Sequence, residues 1–255
     1  MIIHLLIYYI DSFIMKLKNI VVATEKKGYY NVLEQSCQRH NIELIPLGLG
    51  QKWTGFTMRY KLLHEYLKTL NEEEIVMIND AYDVIILENS DIIIDKFKSF
   101  NKNIVFCTQD SLLTRLVFPK CKIYENIIAI GSVIGYVKYL KEMVELLFKY
   151  EYLWEKYNSD DQIILQNTCD LEINFFEKNV SIDTDRKLFF ATVSEDYIHN
   201  LIFKDISGLY MKNNKLYTKN NTTPSILHLA SNVDGEKYLN LFPIQAIIIS
   251  QMQKN

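Results

Sequence analysis

The chain has 255 residues, of which 49% are hydrophobic and 23% charged, and its formal net charge is -3. This is the composition of a soluble globular protein with an ample core, long enough for one large α/β domain or two small ones, and it offers no basic footprint for nucleic acid. Cys37, Cys107, Cys121 and Cys169 are scattered, with no CxxC pair and no metal-ligand spacing, so all four are expected to be reduced and mostly structural.

Residues 2–10 are apolar, but the run is far shorter than the roughly 20 residues that span a bilayer. It also lacks the basic start and small-residue cleavage site of a signal peptide. Met15-Lys16-Leu17-Lys18 reads as an alternative start. Residues 1–14 are therefore expected to be a dispensable extension, with a docked extra strand or helix as the alternative. Residues 15–255 are expected to form a single domain that is soluble, cytoplasmic and without a membrane span.

Ile20–Ala23 is a β-branched run and reads as a buried strand. Helical spacing follows over residues 30–40, then a strand over Glu43–Leu47 that ends in Gly48-Leu49-Gly50. A βαβ opening implies a parallel sheet. Residues 58–70 put Leu62, Leu63, Tyr66, Leu67 and Leu70 on one helical face. A strand at 75–78 leads into Asp80-Ala81-Tyr82-Asp83, and Val84–Leu87 follows at once. Residues 92–100 read as a helix and Ile104–Cys107 as a strand. Ile127–Ile130 reads as a strand running into a turn at Gly131–Gly135, and Val137–Lys149 as an amphipathic helix. Asp160-Asp161-Gln162 opens a helix, since Asp caps an N-terminus and complements its dipole. A hairpin is expected around Asn213-Asn214, then a late strand carrying His228.

The Asp80/Asp83 corner carries the most information. A buried strand that delivers two carboxylates to its C-terminal tip can hold a hard divalent cation, which can in turn hold a diphosphate. Open α/β sheets bind ligands in the crevice outside the strand C-termini. The plain alternative is a turn between two strands, where Asp is common. For His228 alone, the plain alternative is a hydrogen-bonded core histidine.

The ordered set Val22-Ala23-Thr24, Gly48-Leu49-Gly50 with Trp53 and Gly55, Lys61, Asp80-Ala81-Tyr82-Asp83-Val84, Gly131–Gly135, Asp160-Asp161-Gln162 and His228 resembles the glycosyltransferase domain of the procollagen lysyl hydroxylases. The resemblance runs from about residue 19 to about residue 240. It implies a GT-A fold, with a Rossmann-like, mostly parallel sheet flanked by helices and a mixed C-terminal half. It also implies Mn²⁺ held by Asp80, Asp83 and His228, and a UDP-sugar donor bound by Val22, Ala23, Thr24 and Asp80, with Tyr82 stacked on the uracil. Lys61 is implied near the diphosphate, with Gly235 and Lys237 at the pyrophosphate. Asp160 and Asp161 are implied on the acceptor side, one of them free to act simply as a helix cap. Gly131 to Gly135 would let the backbone approach the sugar.

The activity so implied is a retaining transfer of glucose from UDP-glucose to galactosyl-hydroxylysine on collagen-like acceptors. A second reading keeps the fold and changes donor or acceptor: galactose from UDP-galactose to hydroxylysine, or glucose to another glycan. A third is a UDP-sugar-fold binding module without transferase activity. Three departures from the family pattern bear on the choice. Ala129 stands where the family has asparagine, no tryptophan follows Phe106-Cys107, and His228-Leu229-Ala230-Ser231 replaces the family's HGNG. The abundance of Lys, Asn and Ile suggests an AT-rich genome, and with no hydroxylase in the sequence it points to a virus. The sequence leaves oligomeric state open.

Overall fold

Aliphatic runs become strands and the periodic segments between them become helices, as their side-chain spacing requires. The computed structural model describes residues 16–109, 111–192, 209–213 and 215–229. The proposed N-terminal extension, Gly235 and Lys237 lie outside the described residues.

The first half is a βαβαβ unit. It consists of β1 (Lys18–Val22), α1 (Tyr30–Arg39), β2 (Glu43–Leu47), α2 (Phe56–Leu67) and β3 (Ile75–Asn79). β1 pairs in parallel with both β2 and β3. The sheet continues through β6 (Ile128–Tyr136), which runs antiparallel to β3 and to β5 (Ile104–Thr108). It ends on β7 (Val180–Ile182), parallel to β5. The six-stranded order is β2-β1-β3-β6-β5-β7, which agrees with the expected mostly parallel sheet.

A smaller sheet joins β4 (Val84–Ile86), β11 (Ile226–His228) and β8 (Phe189–Ala191) in the order β4-β11-β8. The expected hairpin is β9 (Leu209–Lys212) with β10 (Lys215–Thr218), and Asn213 takes a positive φ of 51° in its turn.

Helices cover both faces of the large sheet. On one side α2, α5 (Val137–Lys149), α6 (Glu151–Lys156), α7 (Asp161–Leu171) and α8 (Ile173–Asn179) bury Leu63, Leu67, Leu140, Leu147, Ile164 and Phe176 against Ile20, Ile78, Phe106 and Val133. On the other side α1 and α3 (Ser90–Lys98) pack Leu33, Ile93 and Phe97 against Val21, Met77 and Val105, together with Val84, Phe189 and Ile226 of the small sheet. Full burial of such side chains stabilises by roughly 1.5–3 kcal/mol each. Cys37 and Cys107 sit in this second layer as buried free thiols, and burial pushes Cys37 up to about 12.

Two expectations need correction. The segment Gly131–Gly135 is not a turn but the middle of β6. It reads as a turn because glycines punctuate it, yet both neighbours of β6 pair with it. Nor are all four cysteines reduced: Cys121 and Cys169 form a disulfide with Cα atoms 5.8 Å apart. The two lie 48 residues apart in sequence, so spacing alone gave no signal. A disulfide persists in oxidising compartments and is rare in the cytosol, which weighs against the cytoplasmic location. Among the described residues no helix is long and apolar enough to cross a membrane.

Candidate active site at the β3–β4 corner

β3 is hydrophobic through Ile78 and then delivers Asp80 and Asp83 across the short corner to β4. β4 pairs antiparallel with β11, and this register sets His228 opposite Val84, beside Asp83. The three side chains therefore come from the seam between the two sheets. His228 Nε2 lies 3.5 Å from Asp80 Oδ2 and 3.3 Å from Asp83 Oδ2. Among the described residues, Asp80, Asp83 and His228 form a group whose ligand atoms all lie within 4.8 Å of one another.

The electrostatics follow from that packing. Burial works against the Asp83 carboxylate, but the His228 charge and hydrogen bond, with Arg59 beyond, outweigh it and hold Asp83 below its ordinary value. Burial likewise works against a charged His228, and Asp83 and Asp80 raise it above the ordinary histidine value.

Three observations fit a divalent cation here. Asp83 Oδ1 and His228 Nδ1 are buried without a hydrogen-bond partner, where buried polar atoms nearly always have one. A Cβ at Gly131 would collide with Cε1 of His228 and Oδ2 of Asp80, so the bare Cα keeps the cradle open. The donor set is two carboxylates and an imidazole, which suits Mn²⁺ better than Mg²⁺.

Beside this corner opens a cavity of about 680 Å³, within the usual size of a small-molecule site. Val22 and Thr24 form one wall and Asn79, Asp80, Tyr82 and Asp83 another. Trp53 and Phe56 stand half-exposed at its edge, their rings edge-to-face at 5.6 Å. Thr24 N donates to the Tyr82 hydroxyl at 3.2 Å, and Lys27 Nζ sits 5.3 Å from the Tyr82 ring centre. Ala23 is not part of the lining: it is buried in the core, its N–H donating to Leu47 O.

Lys61 is exposed on α2 and does not line the cavity. On α2 the cation that does is Arg59, two residues earlier, and Lys27 and Lys52 line it from outside that helix. Residues two apart lie about 200° apart around a helix, so they face opposite ways. The Arg59 guanidinium is buried, with Nη1 2.8 Å from Asp80 Oδ1 and 3.6 Å from Asp161 Oδ2. The sequence reading missed Arg59. The available signal was its place on the apolar face of α2, three and four residues before Leu62 and Leu63, though its partners are set only by the fold.

Asp160 and Asp161 have separate places. Asp160 is the N-cap of α7, its Oδ1 accepting from Ile163 N at 3.0 Å. Asp161 is buried, accepts from the Tyr60 hydroxyl at 3.2 Å and faces Arg59. Burial pushes its carboxyl up to about 6, against the pull of Arg59 and with the push of Asp80. Neither aspartate lines the cavity, and Arg59 links Asp161 to it.

The family profile described as "PLOD GT domain" matches residues 14–243. The chain belongs to that family. It is thus a glycosyltransferase domain of the lysyl hydroxylase type, and its mixed α/β architecture is consistent with the GT-A fold. It is similar to a procollagen-lysine,2-oxoglutarate 5-dioxygenase of Drosophila melanogaster, 36% identical over 103 residues, covering 37% of this chain and 14% of the relative. It is also similar to procollagen-lysine,2-oxoglutarate 5-dioxygenase 2 of Mus musculus, 26% identical over 192 residues, covering 69% of this chain and 25% of the relative. A third similar protein is an uncharacterized protein of Acanthamoeba polyphaga mimivirus, 22% identical over 189 residues, covering 64% of this chain and 40% of that one. The PLOD GT domain chain therefore spans only a minor part of the length of these relatives.

Proposed function

We propose that the β3–β4 corner is the centre of a Mn²⁺-dependent retaining glycosyltransferase that moves glucose from UDP-glucose to galactosyl-hydroxylysine of collagen-like chains. The observation that carries the reading is the Asp80–Asp83–His228 cluster, with its unpartnered polar atoms, on the rim of a cavity large enough for a nucleotide sugar. Membership of the PLOD GT domain family supports the reaction class, and the names of the relatives support the collagen-like acceptor.

In this reading Asp80, Asp83 and His228 hold the cation, with Asp80 also meeting the nucleotide. When bound, that cation neutralises the diphosphate and favours its departure. Val22 and Thr24 present the β1 end to the nucleotide with Ala23 packed behind them, and the flat Tyr82 ring stacks on uracil at low entropic cost. Arg59 and Lys27 supply fixed positive charge where the leaving UDP gathers negative charge. Lys61, being exposed, serves only if its side chain swings round on substrate binding. Gly235 and Lys237 remain proposed for the pyrophosphate. Asp160 and Asp161 remain proposed for the acceptor side, where in this packing they anchor α7 and Arg59, and the departing UDP takes the proton of the incoming hydroxyl.

The test is UDP release from a panel of UDP-sugars, with Mn²⁺ or EDTA, with and without galactosyl-hydroxylysine. Mn²⁺-dependent release from UDP-glucose, raised by that acceptor, is the expected result. Release that the acceptor leaves unchanged would discard the collagen assignment, and no release from any donor would discard the transferase.

A further inference from the structure

The strand β6 is irregular where it passes the metal corner. Against β5 its register jumps, with Phe106 opposite Val133 and the next residue, Cys107, opposite Ala129. Ile130, Gly131 and Ser132 therefore face no β5 residue. On the other edge the ladder with β3 is kept: Asn79 is opposite Ser132, and Asp80 N donates to Gly131 O at 2.8 Å. Bulges of this kind re-aim residues beside active sites.

A bulge leaves ladder groups without partners, and buried backbone groups must find others. Here the partner is a side chain. Ile130 N donates to Gln162 Oε1 at 3.1 Å, and Gln162 Nε2 donates to Ile128 O. A primary amide carries a donor and an acceptor side by side, as a peptide edge does, so it can replace a strand on both sides of one residue. Gln162 is buried on α7, next to the capping Asp160 and the Arg59-facing Asp161. Its neighbour one turn on, Gln166, also donates to Ile128 O, at 2.8 Å, but its Oε1 accepts from Cys121 N and does not reach the bulge.

We infer that Gln162 is a positioning residue for the metal corner, because its amide substitutes for the missing strand and holds the Ile130–Ser132 bulge that sets Gly131 beneath Asp80 and His228. This rests on the reading of Asp80, Asp83 and His228 as metal ligands. The bulge fixes the Gly131 carbonyl that accepts from Asp80 N, and its bare Cα leaves the space both ligand side chains occupy. If the bulge relaxes into register, that space and that hydrogen bond shift together.

Mn²⁺ binding to the full chain tests this, followed by the loss of the free-ion electron paramagnetic resonance signal, with neither nucleotide nor acceptor present. Gln162→Met keeps volume and removes both hydrogen bonds. It should weaken Mn²⁺ binding by about 10- to 100-fold, the usual effect of removing a group that orients metal ligands. Gln166→Met, which breaks the bonds to Ile128 O and Cys121 N but leaves Ile130 N its acceptor, should lower the melting temperature and leave Mn²⁺ affinity at the native value. Native affinity in folded Gln162→Met overturns the inference. Should that variant not fold, Gln162→Asn keeps a polar amide but draws it back by one methylene from both Ile130 N and Ile128 O, and native affinity there overturns it equally. Asp83→Ala separates the two levels. Native binding in both Asp83→Ala and Gln162→Met removes the metal reading and the inference with it. Lost binding in Asp83→Ala with native binding in Gln162→Met removes the inference alone.

Discussion

Two acidic corners meet at Arg59 and solve opposite problems. At the β3–β4 corner Asp83 Oδ1 and His228 Nδ1 are buried without partners, so the charges there are complete only with a ligand. At the start of α7, Asp161 is more enclosed than Asp80 or Asp83 but has Arg59 and Tyr60 facing it, and Asp160 spends an oxygen on its helix. The first corner leaves polar atoms open to a ligand and the second is closed on itself. Similar residue types thus give a binding site or a structural anchor according to which polar atoms the fold leaves unanswered.

The sharpest way to break this contrast is to remove the shared cation. Arg59→Leu leaves Asp161 and part of Asp80 uncompensated and should cost about 3–5 kcal/mol of unfolding free energy, the usual penalty for orphaning a buried charge; denaturant melts measure it. Asp83→Ala should do the reverse, leaving the metal-free melting temperature close to native while Mn²⁺-dependent turnover falls by on the order of 10²–10³-fold. A matching loss of stability in Asp83→Ala would show that both corners are anchors.

Acidity separates the corners more finely. Folded Asp161 titrates at about 6 against 3.8 when unfolded, so the native state holds the proton more tightly. That contribution is fully present below the unfolded value and is lost as pH rises through about 6. Against Asp161→Asn, the native chain should therefore lose relative stability between about pH 4 and about pH 7, by up to about 3 kcal/mol at about 1.4 kcal/mol per pH unit. A flat difference across that range would mean that Arg59 keeps Asp161 ionised throughout. Smallest is Tyr60→Phe, which removes one hydrogen bond to a charged group and should cost about 1.5–3 kcal/mol.

The clustering of Asp80, Asp83 and His228 was legible because its signal is local. An apolar run ending in Asp80 and Asp83 is a signal within one strand and one turn, and the order of motifs brought in His228. The anchor was not. The α2 period sets Arg59 on the apolar face with Leu63 and Tyr66 and Lys61 on the polar one, but the partner of Arg59, Asp161, lies more than a hundred residues away in sequence. The β6 bulge escaped for a related reason. Glycines at 131 and 135 have the composition of a turn, and only the register against two neighbouring strands shows that the chain runs straight through. Short elements such as α6, α8 and β7 offer too few residues for a period to emerge.

The seam between the sheets also sets a timetable. Asp80 and Asp83 belong to the first third of the chain, whereas His228 arrives on β11, the last described strand. Long-range pairings of this kind close late in folding. While the chain is still being synthesised it presents two carboxylates and no imidazole, so a nascent polypeptide holds an incomplete cradle. Under the proposed function, the ability to bind and spend an activated sugar is thereby withheld until nearly the whole domain is made.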